Sequence, residues 1–144
     1  KDTVKHFSDW ADRQMLDRLE GISVEEIRIR DRIRLCVMTR LDVLQPYKEA
    51  VRKSLSYWSL PHRGFAASKV LWNTSDKIWC WAGDDSKDYN HYTKRGLLSG
   101  VIATTTLAWL NDDGTDLSSA EEFLDRRIEN VMQLGKIIGR FKKA

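Results

Sequence analysis

IWCWAGDDSKDYNHYTKR, residues 78–95, joins two apolar stretches through the densest polar run of the chain. Before it, Phe65, Val70, Leu71, Ile78, Trp79 and Trp81 follow helical spacing, which predicts a helix over about 62–82. After it, LLSGVIATTTLAWL at 97–110 predicts a second helix with an unusually broad apolar surface. Gly83 is suited to a left-handed cap on the first of these, and Ser86 or Asp88 to an N-cap on the next. The polar elbow between them is therefore a helix connection, and it is either a turn or the rim of a site.

The same reading extends outward to the rest of the 144 residues. Val4, Phe7, Trp10, Ala11 and Leu16 predict a first helix over about 3–19, stopped by Gly21. Ser23 with Glu26 three residues later reads as a capping box for a second helix to Leu44, its stripe carried by Ile29, Ile33, Val37, Leu41 and Leu44. Pro46 suits the first turn of a third helix ending near Tyr57 or Ser59, and Pro61 enforces a break. Beyond a turn at 111–115, Ser118 or Ser119 opens a last helix through Phe123, Leu124, Ile128, Val131, Met132 and Ile138, ending in Arg140, Lys142 and Lys143. No stretch alternates with period two for long enough to demand a strand. The expectation is an all-α bundle of about six helices forming one domain over 1–144.

Composition narrows the function classes. Lysine and arginine exceed aspartate and glutamate by 24 to 21, too even a balance to expect a nucleic-acid partner. No apolar run reaches the roughly 18 residues of a membrane span, so membrane contact should be peripheral. Cys36 and Cys80 lie in apolar helical patterns and read as packed thiols, with a disulfide between them left open. The chain starts at Lys1 without an initiator methionine, which suggests a fragment or a processed form.

The chemistry of catalysis is hard to find. There is no glycine-rich phosphate loop, HExxH, paired-cysteine pattern or nucleophile elbow, and His6, His62 and His91 sit in different predicted helices. Asp84, Asp85 and Asp88 lack the regular oxygen spacing of a calcium loop and read as caps and partners for Lys87, Lys94 and Arg95. No metal, cofactor or catalytic residue is expected. Two readings of the apolar helices stay open. Trp72, Trp79, Trp81 and Trp109 are either plain core or, with Ala66, Ala67, Ser99, Gly100 and Ala103, the lining of a pocket for an apolar ligand. Tyr92 and Arg95, three residues apart beside His91 and Asp88, form either a surface turn or a protein-binding anchor.

The run 78–95 also resembles the signature of the coenzyme Q biosynthesis accessory proteins, lipid-binding relatives of the TetR regulators. The matching residues are Trp79, Ala82, Gly83, Asp84, Ser86, Asp88, Asn90, Tyr92, Thr93 and Arg95, then Leu98, with a weaker match through Phe123, Leu124, Arg127, Val131, Met132 and Gly135. The resemblance implies a TetR-like ligand-binding bundle whose N-terminal helix-turn-helix is absent from this chain, dimeric through its last two helices. It implies an accessory protein of ubiquinone biosynthesis that takes up isoprenoid or quinone-precursor lipid and presents it to the pathway's di-iron hydroxylase. The setting would be a bacterial cytoplasm or mitochondrial matrix, peripheral to the inner membrane. It places partner binding at Asp88, His91, Tyr92 and Arg95, with His91 standing where relatives carry tryptophan; with the pocket reading above, lipid is expected at Trp72, Trp79, Leu98, Ile102 and Trp109. A TetR-type regulator, seen here only through its effector domain, is the alternative.

Overall fold

The computed structural model describes residues 2–58, 64–83, 89–112 and 117–143, with side chains at 6–56, 64, 66–83, 92–112 and 117–133. The helices are α1 (Asp2–Leu19), α2 (Ile29–Leu44), α3 (Lys48–Trp58), α4 (Gly64–Trp81), α5 (Tyr89–Asn111) and α6 (Ser118–Lys143). No strand occurs among the described residues, so the all-α expectation is met.

The one long helix expected from Ser23 is divided. Val24–Glu26 form a short 3-10 turn, Ile27 is extended at φ −119°, and α2 begins after Arg28. Ser23 stands at the head of the short turn, where its side chain caps nothing and its Oγ lies 3.5 Å from Glu25 Oε2. Arg32 explains the break. Its Nε donates to the Ile27 carbonyl at 2.7 Å and its Nη1 to the Ala82 carbonyl at 2.7 Å. One guanidinium thereby ties the extended link to the C-terminus of α4, where unpaired carbonyls favour a cation. Gly21 and Gly83 adopt φ of +89° and +92°, a region that side chains rarely enter, so both are the helix stops the sequence predicts. At α6 the first helical bond runs from the Glu121 N–H to the Leu117 carbonyl at 2.8 Å, placing the start at Ser118.

Two contiguous cores hold the helices together. The larger joins Met15 and Leu19 of α1, Ile33, Cys36 and Val37 of α2, Ile78 of α4, Leu98, Val101 and Ile102 of α5, and Leu124 and Ile128 of α6. The smaller gathers Ala11, Leu41, Leu44, Trp109, Leu110 and Ala120 at the other end. Full burial of such side chains is worth about 1.5–3 kcal/mol each, which makes these stripes the main stabilising term. Arg30 reaches Glu129, and Arg34 reaches both Glu121 and Asp125, across the exposed seam of α2 and α6. Asp125 and Glu121 hold the Arg34 guanidinium above its ordinary value, chiefly through the hydrogen bond to Asp125. That seam is solvent-exposed, so it orients the helices more than it stabilises them.

Cys36 is buried and Cys80 exposed, and both are free thiols, which answers the disulfide question for this fold. Burial pushes the Cys36 thiol up to about 12.

Candidate lipid-binding pocket

Five helices converge on a largely apolar pocket of about 190 Å³. Each contributes residues at helical spacing, so every lining side chain is a consequence of one stripe facing inward. On α3 these are Val51, Ser54 and Leu55, and on α4 Ala67, Val70 and Leu71. On α5, Ile102, Ala103, Thr106 and Leu107 face the space, while α1 supplies Phe7 and Ser8 and α2 supplies Arg40 and Leu44. The room exists because Ala67 and Ala103 stop short of the middle, where a longer side chain would close it. Ile102 and Leu44 are 2% and 3% exposed and form the floor; Leu55 and Leu107, at 39% and 42%, flank the mouth.

The wall formed by α3 is fixed at one end. Lys48 Nζ donates to the Asp112 carbonyl at 2.5 Å and Arg52 Nη2 to the Leu110 carbonyl at 2.7 Å. These cations satisfy the last carbonyls of α5. Trp109 Nε1 donates to Gln45 Oε1 at 2.6 Å just ahead of the helix, and the Tyr47 ring packs edge-on against Phe7 and Trp10. Val51 and Leu55, one turn apart, then lie over the pocket.

A charged network borders the same space. Asp12, only 1% exposed, accepts from Arg40 Nε at 3.0 Å, from Lys77 Nζ at 3.1 Å and from Thr74 Oγ1 at 2.9 Å. A carboxylate can be buried this deeply because three donors from two neighbouring helices replace its water. Nothing in the sequence reading anticipated it. The signal was there in Asp12, which sits between Ala11 and Met15 on the inward face of α1, and in Thr74 and Ser75 amid the apolar stripe of α4.

The residues singled out from the sequence are dispersed. Of the five expected at the lipid, Ile102 lines the pocket. Leu98 is 3% exposed within the larger core, and Trp109 is 1% exposed in the smaller one, with Lys48 5.4 Å over its ring. Trp79 packs against the larger core and donates Nε1 to the Lys94 carbonyl at 3.1 Å, while the Trp72 ring lies 6.0 Å from Tyr92. These four indoles and aliphatics lie away from the void because large side chains fill space, whereas the alanines leave it. Ala67 and Ala103 are where the pocket reading put them, but Ser99 hydrogen-bonds Ser75 at 2.9 Å, and Ala66 and Gly100 are exposed.

At the start of α5, Tyr92 is 64% exposed. Arg95 corrects the expectation of an external handle: it is 2% exposed, and its Nε donates to Asp76 Oδ1 of α4 at 2.8 Å. Three residues from Tyr92, it turns inward because α4 offers a carboxylate there. Asp88 and the caps at 84–86, together with the side chains of His91, Ile138, Arg140, Lys142 and Lys143, lie outside what the structure describes. Among the described residues, no helix is long and apolar enough to cross a membrane, and no group of three or more His, Cys, Asp or Glu could hold a metal ion.

Comparison with known proteins bears on this arrangement. The COQ9 family model matches residues 65–135, which spans α4, α5 and most of the described part of α6. The human ubiquinone biosynthesis protein COQ9, mitochondrial, is 36% identical over 103 residues, covering 72% of this chain. This chain belongs to the COQ9 family. The rat protein of the same name is 38% identical over 103 residues, and the Xenopus tropicalis one 33% over 140 residues and 92% of this chain. The COQ9-family chain spans only part of these relatives: 32% of the human protein's length and 44% of the Xenopus tropicalis protein's. The match to α4 and α5 takes in the pocket walls from Ala67 to Leu107 and the exposed Tyr92.

Proposed function

We propose that this COQ9-family chain is a lipid-binding accessory module of ubiquinone biosynthesis, without chemistry of its own, that takes an isoprenoid or quinone-precursor lipid into the pocket between α3, α4 and α5. The observation that carries the reading is the apolar void itself, open to the surface and lined in part by α4 and α5, which the family match covers. Its volume of about 190 Å³ exceeds the roughly 150 Å³ of an engineered cavity that binds benzene, and falls below the roughly 300–1,000 Å³ of sites enclosing drug-sized ligands. It therefore suits one ring or a short branched segment. The remainder of a lipid would leave between Leu55 and Leu107, whose exposed side chains form an apolar exit toward a membrane surface.

Presentation to the di-iron hydroxylase would use the start of α5. Tyr92, exposed and with its ring beside Trp72, is the anchor on the described surface, joined in the proposal by Asp88 and His91. Arg95 would serve by bracing α5 on Asp76, not by touching the partner. A TetR-like homodimer through α5 and α6 is part of the same proposal. Leu98 and Ile102 are consumed within the chain's own core, so such an interface would draw on outward residues, for example Met132 at 40% exposure. The mitochondrial names of the relatives support a place in the mitochondrial matrix, peripheral to the inner membrane.

Native mass spectrometry of the purified chain, followed by lipid extraction, tests the proposal. One isoprenoid or quinone lipid per chain, co-purified or taken up on addition, is the expected result. A chain that neither carries nor acquires such a lipid overturns it.

A further inference from the structure

Among the described residues lining the pocket, Arg40 is the charged one. Its side chain is 13% exposed, with Nε on Asp12 and Nη2 3.3 Å from Ser8 Oγ. A guanidinium carries five N–H donors in a rigid plane, and these two contacts engage two of them. The plane is held by a carboxylate that is itself clamped by Thr74 and Lys77, and Arg40 lines the pocket, so its remaining donors are the polar groups within reach of a ligand there.

Resting on the lipid-pocket reading, we infer that Arg40 selects the ligand by its polar atom, and that the pocket takes a ring-sized apolar group bearing a neutral hydrogen-bond-accepting oxygen. The neutrality follows from the charges facing the site. Arg40 is balanced by Asp12, and Lys77 stands 3.1 Å from Asp12 and 3.5 Å from Asp9. Two cations thus meet two carboxylates, and an anionic head would bring a third negative charge into an apolar enclosure. A pure hydrocarbon is disfavoured for the opposite reason, since it strips water from the guanidinium and returns no acceptor. A carbonyl, ether or similar oxygen satisfies both conditions.

The test compares probes matched in tail length: decyl-1,4-benzoquinone, decylbenzene and 4-decylbenzoate, each titrated calorimetrically into the wild-type chain. The quinone should bind about tenfold tighter than decylbenzene, as a hydrogen bond from a charged donor implies, and tighter than the benzoate. In the double variant Asp12→Asn with Arg40→Met, which removes both charges together and strands neither, the quinone's advantage over decylbenzene should vanish. Equal binding of quinone and decylbenzene to the wild type overturns the assignment to Arg40 while leaving the lipid pocket standing, and that comparison needs no variant to fold. Tightest binding of the benzoate overturns the neutrality argument. Selectivity that survives in the double variant removes Arg40 from the account, and binding of no probe overturns the pocket reading together with this inference.

Discussion

Filling the pocket from within should abolish lipid binding without unfolding the chain. Ala103 is the position to use, because it lies on α5 beside the floor residue Ile102, is half-buried, and stops short of the void. In Ala103→Phe the ring would occupy space the structure leaves open. Cavities cost about 24 cal/mol per Å³, so a volume of 190 Å³ corresponds to at most ~4–5 kcal/mol for any group that fills it. The same figure bounds what packing in this void contributes to a ligand, about the free energy of a millimolar complex. Tighter binding would have to come from the tail beyond the mouth and from polar contacts. Because the pocket opens to solvent, the stability gain should stay within the ~0.5–2 kcal/mol usual for cavity filling. Urea titration should show the midpoint unchanged or raised at constant slope, while the same protein fails to take up a short isoprenoid quinone. A variant that binds the quinone as well as the wild type would show that the void is not the site. A loss above ~2 kcal/mol would mean that the space is already filled, since overpacking typically costs 1–3 kcal/mol.

Further outcomes follow from the surrounding contacts. Asp12→Ala would leave the Arg40 guanidinium without its carboxylate and should cost about 3–5 kcal/mol in denaturant titration, as breaking a buried ion pair does elsewhere; a loss under ~1 kcal/mol would refute the buried network. Tyr92→Ala should change stability by no more than ~0.5 kcal/mol while weakening hydroxylase capture in a pull-down, and Arg95→Ala should lower stability by about 2 kcal/mol, the loss being limited because its half-exposed Asp76 partner can regain water. If the two variants exchange these behaviours, the account of α5 is wrong. A thiol reagent should label Cys80 in the folded chain and Cys36 only after denaturation. With the Cys36 thiol raised from its ordinary 9.0 to about 12, the unfolded chain loses this proton first, so the contribution of this group to stability should fall as pH rises from 9 toward 12.

What the sequence revealed and what it concealed divide along physical lines. Helices announce themselves through local spacing, so the apolar stripes, the stops at Gly21 and Gly83 and the all-α class were legible. The start of α2 was not. Ser23 and Glu26 form a sound local capping pattern, but Arg32 reaches fifty residues away to Ala82 and that long-range bond decides the link. The same limit applied to the pocket. Periodicity turns Leu98, Ile102 and Trp109 inward alike, yet only packing separates a filled interior from a void, and the void follows the small side chains of Ala67 and Ala103. The lining from α3 was visible as Val51 and Leu55 one turn apart, though nothing local says what they cover. Arg95 was misjudged because its partner, Asp76, lies on a different helix.

Methyl-resolved nuclear magnetic resonance during titration with a short isoprenoid quinone tests the central claim most directly, because it reports where the ligand goes. Shifts should concentrate at Leu44, Val51, Leu55, Val70, Leu71 and Ile102 around the pocket, with Leu124 and Ile128 on the α6 side of the larger core unmoved. Shifts centred on Leu124 and Ile128, or no saturable shift at the pocket methyls, would contradict the account.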